Sequence, residues 1–289
     1  MRLCNFQLVE DFAAQGIIRV GVVDGEQVRE VNDLKGLGIQ RDPLRALIAS
    51  GISLKELELG ESQSLVDIRL LPPIIQPDKF ICIGLNYASH AREAGMDLPE
   101  VPTFFVKLPN AVSGPQDFIP IPRVSHRIDW EGELAVVIGH SCKDIETSEA
   151  MEYVAGYTVT NDVTARDYQF KTSQWMLGKT FDGFAPIGPW LTTLDEIDDP
   201  NDLGLTTTLN GQIVQDARTS DLIFGVPELV SFFSTVMTLS PGDVIATGTP
   251  SGIGALMNPR RWLRDGDVVS IEIEQVGRLT NTVRGFAQS

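Results

Sequence analysis

Positive charge is scarce in this sequence. Its 289 residues hold 23 lysines and arginines against 39 aspartates and glutamates, a formal net charge of −16. Nucleic acid and anionic membrane surfaces both require basic patches, so both are excluded as expected partners. A small anion is not excluded, because a bound cation can reverse the field locally. Long apolar runs are missing as well. None reaches the 18 residues of a membrane-spanning helix. Cysteine is rare: Cys4, Cys82 and Cys142 are odd in number and far apart, and read as free thiols of a reducing compartment. Residues 1–11 contain no basic stretch followed by an apolar core, so no secretory signal is expected and the cytoplasm is the expected location. The glycine-rich run 247–254 has neither the Gly-Lys-Ser/Thr of a P-loop nor the spacing of a dinucleotide fingerprint.

What remains is ordinary globular composition, 43% hydrophobic and 21% charged. The length suits one large domain, or a large one with a small one. Residues 1–70 read as a small N-terminal unit: a strand over 17–23, a turn at Asp24-Gly25, a returning strand over 27–31, a helix over 43–50 stopped by Gly51, and a strand over 65–70. Residues 71–79 carry Pro72, Pro73 and Pro77 and read as a linker. Residues 80–289 then form the larger domain. At least nine strand candidates, few long helices and no alternation of strand and helix predict a β-rich α+β fold.

One stretch, 129–139, organises the larger domain. It reads as a strand with Glu131, Glu133, Ala135 and Val137 on one face and Trp130, Gly132, Leu134 and Val136 on the other. Two carboxylates roughly 6.5–7 Å apart along one apolar strand require a cation between them, either a divalent metal or a Lys or Arg. Asp162 supplies a further carboxylate at the end of a strand over 154–162. His90 and Glu93 are three apart on a short helix that Asn86 can cap and Gly95 can end, and a carboxylate beside an imidazole suits a general base. Residues 96–128 are loop-rich and have the character of a cover. Lys107 closes the apolar run 104–106 and reads as a strand-end lysine reaching water, with a side chain pointing into a site as the alternative. Thr164 with Asp167 resembles a capping box. Arg166 and Gln169 then share a face, where Arg would fork a substrate carboxylate. Lys179 sits among aromatic residues and is either desolvated beside an anion or a packed stem with its amine in water. The acidic run 195–202 lacks the spacing of an EF-hand and reads as a solvated loop.

Five ordered segments resemble the fumarylacetoacetate hydrolase family over roughly residues 70–286: Ile83-Gly84-Leu85-Asn86-Tyr87 with His90, Asp129-Trp130-Glu131-Gly132-Glu133-Leu134, Asn161-Asp162-Val163-Thr164-Ala165-Arg166-Asp167, Gly178-Lys179 and Thr247-Gly248-Thr249-Pro250. The segments around Trp130 and over 175–182 are most similar to its domain-containing-protein-2 branch. The resemblance implies a mixed β-sandwich roll with a small N-terminal α/β appendage, a homodimer, and a Mg²⁺ or Mn²⁺ site with Glu131, Glu133 and Asp162 as ligands. It implies His90 and Glu93 as a catalytic dyad on a lid over 85–100, Lys179 as the lysine that stabilises the intermediate, and Arg166, Gln169 and Thr249 on the substrate side. Some members carry Arg where this chain has Leu85. The implied substrate is a small anionic 2-oxo or 2,4-diketo acid handled as its enolate. Hydrolysis of a C–C bond in an acylpyruvate is the expected reaction, with oxaloacetate decarboxylation or tautomerisation, or isomerisation of a 2-oxo diacid, as the alternative.

Overall fold

The computed structural model describes residues 1–9, 16–32, 34 and 41–285. Residues 10–15, 33 and 35–40 of the expected N-terminal unit and 286–289 of the expected larger domain lie outside the described residues. Two sheets dominate, and the chain is strand-rich as expected. The larger is 12-stranded and runs, in spatial order, Leu59–Ser64, Gln27–Val31, Arg19–Asp24, Arg2–Leu8, Ala185–Thr193, Val154–Asn161, Gly132–Ile138, Val244–Ala246, Phe80–Gly84 and Thr103–Lys107, with Ile68–Leu71 and Val112–Ser113 pairing off this path. The smaller is 5-stranded: Gln212–Arg218, Gly204–Leu209, Val268–Ile273, Gly277–Arg284 and Ile119–Pro120. A separate two-strand ladder joins Ile128–Asp129 to Thr164–Ala165.

Residues 1–71 contribute their strands to the sheet that carries the site. Arg2–Leu8 pairs with Ala185–Thr193 through Arg2↔Thr192 and Leu3↔Leu191. Leu44 and Leu47 of the helix Pro43–Ser50 share a buried cluster with Phe80, Cys82, Ala135 and Val137. The helix has the expected bounds because Asp42 caps it, accepting from the Arg45 N–H, and Gly51 ends it at φ 68°. The strand Ala185–Thr193 escapes sequence reading because Pro186 and Pro189 argue against a central strand. It is accommodated by a register shift opposite Thr158, so the ladder to Val154–Asn161 passes around Pro189.

The alternation read from the sequence along 130–138 is present. Trp130, Leu134 and Val136 enter the core between the two sheets with Tyr157, Leu205, Ile271 and Phe233, and Ala135 and Val137 enter the core on the opposite face. The strand itself begins at Gly132, so Glu131 lies just before it. Gly132 is required by close approach: a Cβ there would lie 2.4 Å from Thr207 Oγ1, on the facing sheet.

Candidate active site

The antiparallel register assembles the acidic cluster. Gly132 pairs with Asn161 and Glu133 with Thr160, which sets Asp162 beside Glu131. The Glu131 N–H donates to Asn161 Oδ1 at 3.0 Å, and the Asp162 N–H donates to the Glu131 carbonyl at 2.9 Å. Carboxylate oxygens of Glu131, Glu133 and Asp162 lie within 4.8 Å of one another, and all three side chains are buried.

Three cations enter this cluster. Lys179, at the end of the short helix Met176–Lys179, places Nζ 2.7 Å from Glu131 Oε2 and 2.8 Å from Asp162 Oδ2. Arg166 donates from Nε to Asp129 Oδ2 at 2.8 Å and from Nη1 to Gln169 Oε1 at 3.1 Å, with Nη2 in an ion pair 2.6 Å from Glu131 Oε1. Lys107 does not reach water as the sequence suggested. Its strand lies beside Phe80–Gly84, and its buried ammonium donates to the carbonyls of Val163, Lys179 and Phe184 at 3.1, 2.6 and 2.7 Å. An ammonium has three N–H groups, so the further contact with Asp162 Oδ1 at 2.7 Å is electrostatic.

Against these three stand four carboxylates: Asp129, Glu131, Glu133 and Asp162. The cluster is one negative charge in excess, and the excess falls on Glu133. Burial, then the charges of Asp162 and Glu131, push its carboxyl well above the usual range. The Gly248 N–H is the hydrogen bond that supports it, at 2.8 Å, directed by a glycine at φ 103°. For Glu131, burial alone would raise the carboxyl, but the Lys179 and Arg166 charges overcome it and hold it down to about 2. Burial opposes the Lys179 charge in turn, and Asp162 and Glu131 keep its ammonium above the usual range. An all-oxygen donor set, closely grouped and short of one cation, fits a hard divalent ion. Glu131, Glu133 and Asp162 could hold one.

A cavity of about 250 Å³ opens over the cluster, and Glu131, Lys179, Arg166, Gln169, Thr249 and His90 are the polar residues among those that line it. Glu133 and Asp162 lie behind that wall. His90 rides on the helix Ala88–Ala94, which Gly95 ends as expected. Its Nδ1 is 3.0 Å from Glu93 Oε2, and Glu93 Oε1 accepts from the Gly252 N–H at 2.9 Å. The dyad is thereby tied to the glycine-rich loop, and Nε2 is the ring nitrogen left for chemistry. Thr249 Oγ1 accepts from Gln215 at 2.8 Å and donates to the Gly132 carbonyl at 3.1 Å.

Two expected caps are absent. Asn86 does not cap the helix; its amide donates to the carbonyls of Thr247 and Phe224 and its oxygen accepts from the Phe224 N–H, joining loops that meet at the site. Thr164 does not cap the helix Arg166–Gln169, and Asp167 accepts from Ser125 instead. Sequence reasoning passed over Asp129 and Gln215. The Asp129 carboxylate accepts from the Trp130, Gly254 and Ala255 N–H groups as well as from Arg166. Gln215 accepts from the Gly132 N–H and donates to Thr249 and the Pro250 carbonyl. The position of Asp129 two residues before Glu131 was a usable signal, whereas Gln215, inside a hairpin strand, offered none.

A protein-family model, fumarylacetoacetate (FAA) hydrolase C-terminal, matches residues 79–284. The chain belongs to the fumarylacetoacetate hydrolase family. It is 47% identical over 289 residues to a mitochondrial oxaloacetate tautomerase of Xenopus laevis, covering 98% of this chain and 90% of that one. Among solved structures, it superposes on a 2-hydroxyhepta-2,4-diene-1,7-dioate isomerase from Mycobacterium marinum with a TM-score of 0.80 at 36% identity, covering 100% of both chains. A maleylpyruvate hydrolase from Sphingobium SYK-6 gives a TM-score of 0.80 at 32% identity, covering 99% of this chain and 100% of that one. The three named here are a tautomerase, an isomerase and a hydrolase, and this chain is an enzyme of the fumarylacetoacetate hydrolase family. Among the described residues no helix is long and apolar enough to cross a membrane.

Proposed function

We propose that this enzyme interconverts the keto and enol forms of a 2-oxo acid, with Mg²⁺ or Mn²⁺ held by Glu131, Glu133 and Asp162. The observation that carries this reading is the His90–Glu93 pair, 3.0 Å apart, with His90 lining the same cavity as the Glu131–Lys179 ion pair. The divalent ion would supply Lewis-acid polarisation of the substrate's oxygens. The side chains do the rest. Glu93 accepts from His90 Nδ1–H, fixing the tautomer that leaves Nε2 as the ring's proton acceptor. Nε2 takes a proton from C3, and a proton is returned to the keto oxygen. Lys179, kept charged by Glu131 and Asp162, supplies a fixed positive charge where enolate charge develops. Gln169 and Thr249 line the substrate side, with Arg166 holding Glu131 in place. The family's homodimer belongs to the same proposal.

Hydrolysis of an acylpyruvate uses the same enolate and is the second reading, favoured by the likeness to the maleylpyruvate hydrolase. Incubating the Mg²⁺-loaded protein with the enol of oxaloacetate, with acetylpyruvate and with fumarylpyruvate separates the two. Accelerated ketonisation without C–C cleavage is expected. Cleavage of the acylpyruvates with no effect on ketonisation would overturn the first reading. His90→Ala should lower the ketonisation rate by about 10²–10⁴-fold without changing the thermal midpoint, and an unchanged rate would remove His90 from the proposal.

A further inference from the structure

The helix that carries His90 has little to hold it by itself. Ala88–Ala94 is seven residues long, and Ala91 is its buried side chain, the others being partly or fully exposed. A helix this short is marginal in water and depends on tertiary contacts. Tyr87, at its N-cap position, makes no side-chain cap. The cap comes from far along the chain: Asp221 Oδ2 accepts from the Ser89 N–H at 2.8 Å, across a sequence separation of 132 residues. Ser89 is the second residue of the helix, whose N–H a capping side chain ordinarily receives. The carboxylate also stands at the positive end of the helix dipole. Asp221 ends the turn Thr219–Asp221, and that turn is itself anchored. Thr219 is buried, and its Oγ1 accepts from the Leu203 N–H at 2.8 Å and donates to the Pro200 carbonyl at 2.9 Å. The next residues extend the seam, with Leu222 bridged to Tyr87 and the Ile223 N–H donating to the Asn86 carbonyl at 2.8 Å.

We propose that Asp221 is a positioning residue for the base. By capping the helix from an anchored turn, it seats His90 at the cavity while Glu93 reaches both the imidazole and the Gly252 N–H. This rests on the reading of His90 as the base of a 2-oxo acid tautomerase. Asp221 is not among the residues that line the cavity, so it acts through His90 and not on the substrate. Its other partner is Arg92, 3.8 Å away and 71% exposed, and such an exposed pair contributes little. The N–H acceptor is therefore the feature that matters. Loss of a cap corresponds to about 2–30-fold in the equilibrium between seated and frayed helix.

The test compares Asp221→Ala with Asp221→Asn in the full Mg²⁺-loaded chain. Ketonisation of the enol of oxaloacetate is followed by ultraviolet absorbance, and amide hydrogen exchange over residues 88–96 by mass spectrometry. Asp221→Ala should lower kcat about 2–30-fold with KM and the thermal midpoint nearly unchanged, and should speed exchange over 88–96 by a similar factor. Asn keeps an acceptor oxygen and caps as well as Asp, so Asp221→Asn should restore most of both losses. In a His90→Ala background, Asp221→Ala should cost nothing further, because the two act through one group. Unchanged exchange in Asp221→Ala, an equal loss of kcat in the Ala and Asn variants, or a full further loss in the His90→Ala background overturns the positioning role and leaves the tautomerase reading standing. Absence of turnover in the wild-type protein overturns the tautomerase reading, and exchange over 88–96 then decides by itself whether Asp221 seats the helix.

Discussion

Lys107→Met is the sharpest test of how the site is held. The ammonium it removes donates to three carbonyls from three segments: Val163 after one strand, Lys179 at the end of the short helix, and Phe184 before Ala185–Thr193. It also lies 2.7 Å from Asp162 Oδ1, with the two side chains 0% and 1% exposed. Met matches the stem in volume and keeps its packing. The loss is therefore confined to the charge and its donors. Removing one partner of a buried ion pair costs about 3–5 kcal/mol, because the other charge is left unpaired. That is a large share of a typical stability of about 5–15 kcal/mol. With a urea slope of about 3 kcal/mol per molar, the unfolding midpoint should fall by about 1–1.7 M. Arg278→Met provides the control. It breaks the Glu272 pair, whose side chains are 62% and 55% exposed, and should leave the midpoint nearly unchanged. A shift for Lys107→Met no larger than that of the control would refute the argument that this buried ammonium organises the site.

Glu131→Gln should abolish Mg²⁺ binding by calorimetry, and undiminished affinity would remove Glu131 from the ligand set. The stabilisation by Mg²⁺ should depend on pH. Glu133 is raised, so without metal it contributes stability below the ordinary carboxylate range that is lost as pH rises through its folded value. Glu131 is depressed, so its contribution is present above the usual 4.5 and lost as pH falls toward about 2. A divalent ion relieves the Glu133 repulsion and its binding releases that proton. The thermal midpoint should therefore rise more on adding Mg²⁺ at pH 8 than at pH 5, and an equal rise at both would contradict this. Gly132→Ala places a Cβ 2.4 Å from Thr207 Oγ1, should destabilise by about 1–3 kcal/mol, and is checked by its urea midpoint.

The chain by itself determined the parts governed by local periodicity and by residue chemistry. The alternation over 130–138 sorted Glu133, Ala135 and Val137 from Trp130, Leu134 and Val136, because side chains on a strand alternate faces whatever packs against them. The helix Pro43–Ser50 was legible because its stop signals are local. The presence of three oxygen donors and a His–Glu pair followed from ordered segments of the sequence. Only the tertiary structure decided which cation meets which carboxylate. Lys107 looked like a solvent-facing strand end because nothing within the strand reveals the three carbonyls, from residues 163, 179 and 184, that converge on its ammonium. Arg166, expected on the substrate side, lines the cavity, and the ladder between Ile128–Asp129 and Thr164–Ala165 also sets it against Asp129 and Glu131. Ala185–Thr193, the strand that joins the N-terminal strands to the sheet of the site, was hidden by its own prolines and is held by neighbours on both sides. Charge pairing and central strands depend on contacts between residues far apart in the chain, and those contacts exist only once the sheets have closed.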